Sequence, residues 1–352
     1  MSAPAITPLA GGRRAVSLGP LSTVVEPRLL VVVSGLALVL VGLLAAALSI
    51  GDFPIALDQV LPAALGRGGP DADFIVRTLR LPRALTGVLV GAAFGLSGSL
   101  FQRLSHNVLA SPDLIGITAG ASLGAVLVIV TGATLAVGVA TGALLGAVAT
   151  ATAMYLLAWR RGVTGTRLVL VGIALTAVLT AGTQFLLTRA DITDVGQATV
   201  WLTGSLNGRS WDHVVQVGVA LAVVVPLTLA NGRGLRTLQL GDEVARGLGV
   251  RVQATRTVLI ALAVALAAIA TAAAGPIGFV ALCAGPIARR LTATGGVAMV
   301  PAMLVGACIV LGADLVAQHL LGGLPVGVAT ALVGAPYLLA LLARANRIGS
   351  DG

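Results

Sequence analysis

Ten apolar stretches, each close to the length of a bilayer crossing, alternate with polar connections along the chain: residues 29–49, 82–101, 113–131, 133–158, 168–187, 213–230, 257–274, 276–291, 299–319 and 328–343. About 20 consecutive apolar residues cross the hydrocarbon core as a helix, and a lipid-exposed segment must satisfy its own backbone. The pattern predicts an all-α, polytopic membrane protein with ten transmembrane helices. Residues 29–344 form one membrane domain, residues 1–28 a flexible leader and residues 345–352 a tail. No polar stretch is long enough for a separate soluble domain.

Two connections are long enough to fold. The first, 50–80, carries Asp52, Asp58, Asp71 and Asp73 among arginines. The second, 231–256, reads NGRGLRTLQLGDEVARGLGVRVQATR, with acids at a helix start, a short apolar face and glycines as stops. A short amphipathic helix of this kind either lies on lipid or docks on a partner. Periodicity does not choose between the two.

Polar and helix-weakening residues interrupt several spans. Gly87, Gly91, Gly95 and Gly98 stand three to four apart, one small-residue stripe that lets helices approach closely in lipid. HNVLASPDLIG (His106 to Gly116) and CAGPIARR (Cys283 to Arg290) break their helices, so they mark the bundle interior or a pathway, where protein or water can satisfy freed backbone groups. GLSGSLFQRL (Gly95 to Leu104) and GFVALCAGPIARRL (Gly278 to Leu291) share small residues, then arginine and leucine, a hint of internal duplication. Asp314 is the single acidic residue deep in a predicted span. It is either a coupling carboxyl or the partner of a neighbouring polar group, and pairing is favoured, because a proton-coupled carrier needs more than one such carboxyl or a partner cation.

Composition agrees with the pattern: 57% of residues are hydrophobic, 10% are charged and mean hydropathy is +1.02, where a soluble chain is about 25% charged. All 22 basic residues are arginine. With the N-terminus inside, the cytoplasm receives Arg13, Arg14, Arg28, Arg103, Arg160, Arg161, Arg167, Arg233, Arg236, Arg246, Arg251, Arg256, Arg289, Arg290, Arg344 and Arg347, and the outside only Arg67, Arg77, Arg80, Arg83, Arg189 and Arg209. That asymmetry places both termini in the cytoplasm. It also accounts for the net charge of +9 by placement across a membrane, without nucleic acid. Arg13 and Arg14 do not make a twin-arginine signal here, because the apolar run begins well downstream and is long enough to span.

The chemistry of catalysis is missing from the sequence. Cys283 and Cys308 sit singly in apolar runs and His106, His213 and His319 are scattered, so no metal-ligand spacing forms. A chain without lysine cannot carry the phosphate-binding loop G-x-x-x-x-G-K-[ST], and neither a nucleophile elbow nor H-E-x-x-H occurs. The expectation is a translocation subunit, not an enzyme, with no cofactor of its own. If ATP drives it, another chain hydrolyses the ATP.

Arg80, Pro82, Arg83, Gly91, Ser97, Gly98, Gln102, Asn107, Leu109, Ala110, Pro112 and Gly116 stand at the spacing of R-x-P-R, G-x-x-x-x-x-S-G-x-x-x-Q and N-P-L-A-x-P-x-x-L-G, with Val108 in place of the proline. WLTGSL supplies Trp201, Gly204, Ser205 and Leu206 of W-x-x-G-S-L. LGDEVARGLGV matches L-G-x-x-x-A-x-x-L-G, and GPIGFV, GAD and PVGVATALVGAP, the last with Pro325, follow in order. In these motifs the chain, from about Leu29 to Arg344, resembles the FecCD-type permease family of bacterial iron-siderophore and cobalamin ABC importers.

The resemblance implies ten helices per subunit, two such subunits around a pathway, two copies of an ATP-binding subunit that holds ATP and Mg, and an extracytoplasmic siderophore-binding protein. It assigns Gly241, Asp242, Glu243, Ala245, Arg246, Leu248 and Gly249 to the seat of the ATPase, and Arg80 and Arg83 to docking of the binding protein. Gly91, Ser97, Gly98, Gln102, Asn107, Pro112, Trp201, Gly204, Ser205, Pro286, Asp314 and Pro325 fall to the pathway and its packing. Two departures stand out: Ala284, Gly285, Pro286 and Arg289 occupy the place of V-P-H-x-x-R, and Gly323 that of a glutamate. The former looks closer to the branch that includes ferric-enterobactin permeases, which implies a ferric catecholate as ligand and a different FecCD-type chain as partner instead of a second copy. Cobalamin or haem is the alternative ligand, and an ion-coupled secondary carrier the alternative mechanism.

Overall fold

The computed structural model describes residues 5–8, 14–18, 21–133, 138–158, 165–293 and 298–349. Arg13, Arg160 and Arg161, counted above toward the cytoplasmic charge, lie outside the described residues, as do 134–137 at the start of the fourth span and 350–352 of the tail.

Upstream of the helices, β1 (Ala5–Pro8), β2 (Arg14–Leu18) and β3 (Leu21–Val25) pair antiparallel in chain order. These strands lie within the leader, residues 1–28. The first span is α1 (Pro27–Ser49); the outer connection folds into α2 (Leu57–Ala64), α3 (Pro70–Phe74) and a π turn, Ile75–Arg80, that runs directly into α4 (Leu81–Leu104). Spans three to five are α5 (Ile117–Val130), α6 (Val139–Ala158) and α7 (Gly165–Arg189), and α8 (Ile192–Leu202) is a short outer helix that hydropathy did not reveal. After α9 (Trp211–Ala230) the inner connection forms α10 (Gly232–Leu238) and α11 (Asp242–Gly247); α12 (Val252–Ala274), α13 (Val280–Thr292), α14 (Met299–His319) and α15 (Val326–Gly349) complete the chain. Every one of the ten expected spans thus contains a helix, and seven helices among the described residues are long and apolar enough to cross unaided.

The third and eighth spans are shorter than expected, and for the same reason. The first four residues of each, 113–116 and 276–279, are not helical. α5 starts only after Gly116, whose φ of 91° ends the irregular stretch, and Ile115 and Gly116 pack on Gly172 and Thr176 of α7, about 10–16 Å along that helix from Gly165. α13 starts only after Gly275 (φ 76°) and Phe279 (φ 67°), and Phe279 packs on Gly334 of α15, about 12 Å along from Val326. Irregular backbone at such depth survives only where protein or a water-filled cavity meets it. With the orientation set by the arginines, one broken span enters from the cytoplasm and the other from outside.

α4 is the centre of the bundle: most of it is buried, as is over half of α12 and α14, whereas α1 and α7 are almost bare. Its glycine stripe explains how. A Cβ at Gly91 would collide with the Gly306 carbonyl of α14, one at Gly95 with the Ala302 carbonyl, and one at Gly98 with the Ala281 carbonyl of α13. α5 and α6 meet in the same way through Gly120, Gly124, Gly142 and Gly146. Lipid supplies no hydrophobic force between helices, so backbone-level contact is what holds them. The two segments that hinted at duplication, 95–104 and 278–291, are packed side by side.

Candidate functional site

At the outer mouth the structure turns both expected docking arginines inward. Arg80 donates from Nη1 to the carbonyls of Leu48 (2.8 Å) and Ser49 (3.2 Å) and from Nη2 to that of Phe53 (2.7 Å), closing the C-terminal end of α1. Arg83 forms a two-pronged pair with Asp314 of α14, Nε to Oδ2 at 2.9 Å and Nη2 to Oδ1 at 2.8 Å. Gln318, one turn further along α14, donates to the same carboxylate at 2.7 Å. Asp314 is 2% exposed, so the intramembrane acid is a partnered one, as the sequence favoured. The three groups border a recess of about 330 Å³ together with Arg80, Asn207 and His319. Gln318 was missed although it sits at the i+4 position from Asp314, where a helical neighbour belongs.

Deeper in, three motifs far apart in sequence converge on one turn. Gly204, at φ 73°, lies so close to the Pro276 carbonyl that no side chain fits, and Gly275 lies equally close to the Trp201 carbonyl. The Ser205 amide donates to the Ala274 carbonyl at 2.8 Å, and the Gly327 amide to the Gly204 carbonyl at 3.2 Å. Leu206, fully buried, packs over Gly87 of α4. W-x-x-G-S-L, G-P-I-G and P-V-G are therefore the three sides of a single junction that seats the non-helical start of the eighth span. Pro325 precedes α15 there, its carbonyl accepting from the Val328 amide at 3.0 Å.

Toward the cytoplasm, Ser97 donates to the Ala263 carbonyl of α12 at 2.6 Å and Gln102 to the Leu282 carbonyl of α13 at 2.9 Å. Asn107 shapes the break that follows α4: its amide donates to the Gln102 carbonyl, and its Oδ1 accepts from the Leu109 amide at 2.9 Å. The Pro112 carbonyl accepts from the Ile117 amide at the start of α5. Between the two broken spans lies a largely apolar cavity of about 370 Å³, lined by Leu109, Ser111, Asp113, Phe279, Leu282 and Leu338 among others. Phe279 and this cavity went unnoticed in the sequence, because Ile277, Phe279 and Val280 read as a continuous apolar run.

The inner connection presents a compact surface. Gly241 (φ 100°) and Gly249 (φ 80°) bracket α11 in conformations that disfavour other residues. Ala245 is fully buried beneath it. Glu243, Val244, Arg246 and Leu248 are exposed. Asp242 is held by Arg256 of α12 at 2.7 Å, which fixes α11 to the bundle. Among the described residues no group of His, Cys, Asp and Glu could hold a metal ion.

Residues 37–344 match the FecCD transport family. The ferric enterobactin transport system permease protein of Escherichia coli (strain K12) is 37% identical over 84% of this chain and 91% of its own. The cobalamin import system permease protein of Halobacterium salinarum (strain ATCC 700922 / JCM 11081 / NRC-1) is 36% identical over 82% of this chain and 78% of its own. A metal-chelate type ABC transporter solved in an inward-facing conformation is 29% identical and superposes with a TM-score of 0.81, covering 89% of this chain and 99% of that one. The fold is thus shared with that transporter, and the chain belongs to the FecCD transport family of multi-pass inner-membrane permeases.

Proposed function

We propose that this ABC-importer permease subunit carries a ferric siderophore inward, of the catecholate type, and that ATP binding and hydrolysis on a separate subunit switch it between outward- and inward-open states. The observation that carries the reading is the family match across nearly the whole membrane domain. The likeness of 278–291 to the enterobactin branch supports the catecholate, and the 37% identity to an enterobactin permease points the same way. Cobalamin is the second reading, favoured by the 36% identical relative named for it. A pathway can hold either large ligand by shape and a few polar groups without ligating its metal.

A different FecCD-type chain completes the pathway, one of two ATP-binding subunits seats on 241–249 and the other on the partner chain, and a siderophore-binding protein docks at the outer recess, where the part of Arg83 left exposed beyond Asp314 is the basic contact. Reversing charge at the exposed ends of α11, with Glu243→Lys and Arg246→Glu, is expected to leave the permease folded and to uncouple hydrolysis from uptake. Uptake of radioiron-labelled ferric enterobactin measured beside ATPase activity in the purified complex checks this. Undiminished transport per ATP in both variants would remove α11 from the coupling surface.

A further inference from the structure

Two neighbouring residues at the cytoplasmic end of α4 reach in opposite directions. Gln102 turns into α13. Pro286 has no N–H, so the carbonyl four residues earlier, that of Leu282, loses its helical donor, and a group freed inside a membrane protein must find another. Gln102 provides it, Nε2 donating to the Leu282 carbonyl at 2.9 Å, while its Oε1 accepts from Arg289 Nη1 at 3.3 Å. Gly285 makes room, since a Cβ there would strike Gln102 Oε1. The proline, the glycine and the arginine of α13 are all engaged around one glutamine.

Arg103 turns the other way. Its Nη1 donates to Gln239 Oε1 at 2.7 Å, and Gln239 is the C-cap of α10, two residues before the Gly241 turn that starts α11. α10, α4 and α13 are thereby joined by direct side-chain bonds through two consecutive residues. The far end of that route is α13, whose N-cap is Phe279, a non-glycine residue held at φ 67°, a conformation that persists only when its surroundings impose it.

We infer that Gln102 and Arg103 are positioning residues that pass displacement of the coupling connection to the broken eighth span. The inference rests on the reading of 241–249 as the seat of an ATPase. A movement of α10 and α11 draws on Arg103, and Gln102 hands it to α13 beside Pro286, where a helix that lacks one backbone bond yields most readily. Coupling between distant sites needs such a contiguous set of packed and hydrogen-bonded groups.

The test uses the full complex, purified from its native host through a tag on this chain with the ATP-hydrolysing subunit that accompanies it. Hydrogen–deuterium exchange of 278–290 is followed with and without ATP plus vanadate. Wild type is expected to show a nucleotide-dependent change there. Gln239→Leu removes the bond that ties Arg103 to α10 and leaves the Leu282 carbonyl satisfied, so the change should shrink by about fivefold or more while the ATPase subunit still co-purifies at the wild-type yield. Gln239→Glu, which keeps an acceptor, should restore it. A full response in Gln239→Leu, or none in wild type, overturns the inference alone. Loss of the ATPase subunit from Gln239→Leu would show a merely structural bond and overturn it too, whereas a wild-type preparation that brings no ATP-hydrolysing subunit defeats the functional reading first and the inference with it.

Discussion

Arg83→Met is expected to destabilise the permease by about 3–5 kcal/mol, because it leaves the Asp314 carboxylate uncompensated in the interior. The pair joins α4 to α14 with both carboxylate oxygens used, and Gln318 completes the set. The cost should be lopsided. Replacing both partners by apolar residues of similar size, Arg83→Met with Asp314→Leu, exchanges a desolvated ion pair for packing and is often close to neutral. The double variant should therefore melt near wild type in mild detergent although the single one does not. Equal losses in single and double variants would mean that the pair is not the relevant contact at this site. The same set separates docking from stability: if Arg83 contacts the binding protein, the double variant folds and still binds it more weakly.

Gly98→Ala should be worse than its small size suggests. The new methyl would lie against the Ala281 carbonyl, and backbone on both sides cannot step aside as a flexible side chain could. Overpacking a tight core typically costs about 1–3 kcal/mol, and the rigid obstacle puts this site at or above the top of that range. Gly35 of α1 is the control. Nothing lies near its position, so Gly35→Ala should be neutral or slightly stabilising, by up to about 1 kcal/mol from helix propensity. Thermal melting of the two variants side by side decides the matter; similar melting temperatures would refute the close approach of α4 and α13.

Hydropathy made the ten spans legible because lipid imposes a length and a polarity on every crossing. The glycine stripe was legible as well, as a surface for close packing, although not its partners: Gly91 meets Gly306 and Gly98 meets Ala281, contacts that no local pattern encodes. Arg83 and Asp314 are 231 residues apart in sequence. Each looked like a site on its own, one at the mouth and one in the membrane, and only the fold shows that they are one site. The eighth span fails differently. Gly275, Pro276 and Gly278 carried the signal for its non-helical start, but the apolar residues between them kept the hydropathy of a continuous span. Arg80 was legible at the outer end of its helix but its partners were not, since the carbonyls it satisfies belong to the end of α1 and to the loop beyond. What a residue faces depends on the packing of other segments. That is where reading the sequence stopped.

The central claim is that this chain is one membrane subunit of an ATP-driven importer. Its most direct test is affinity purification of the tagged chain in mild detergent from the native host, identification of everything that accompanies it, and reconstitution of that assembly in liposomes. A Walker-motif ATPase and a second FecCD-type chain are expected in the preparation, with uptake of ferric siderophore that stops when ATP is withheld. A chain recovered alone that still drives uptake in ATP-free liposomes would contradict it.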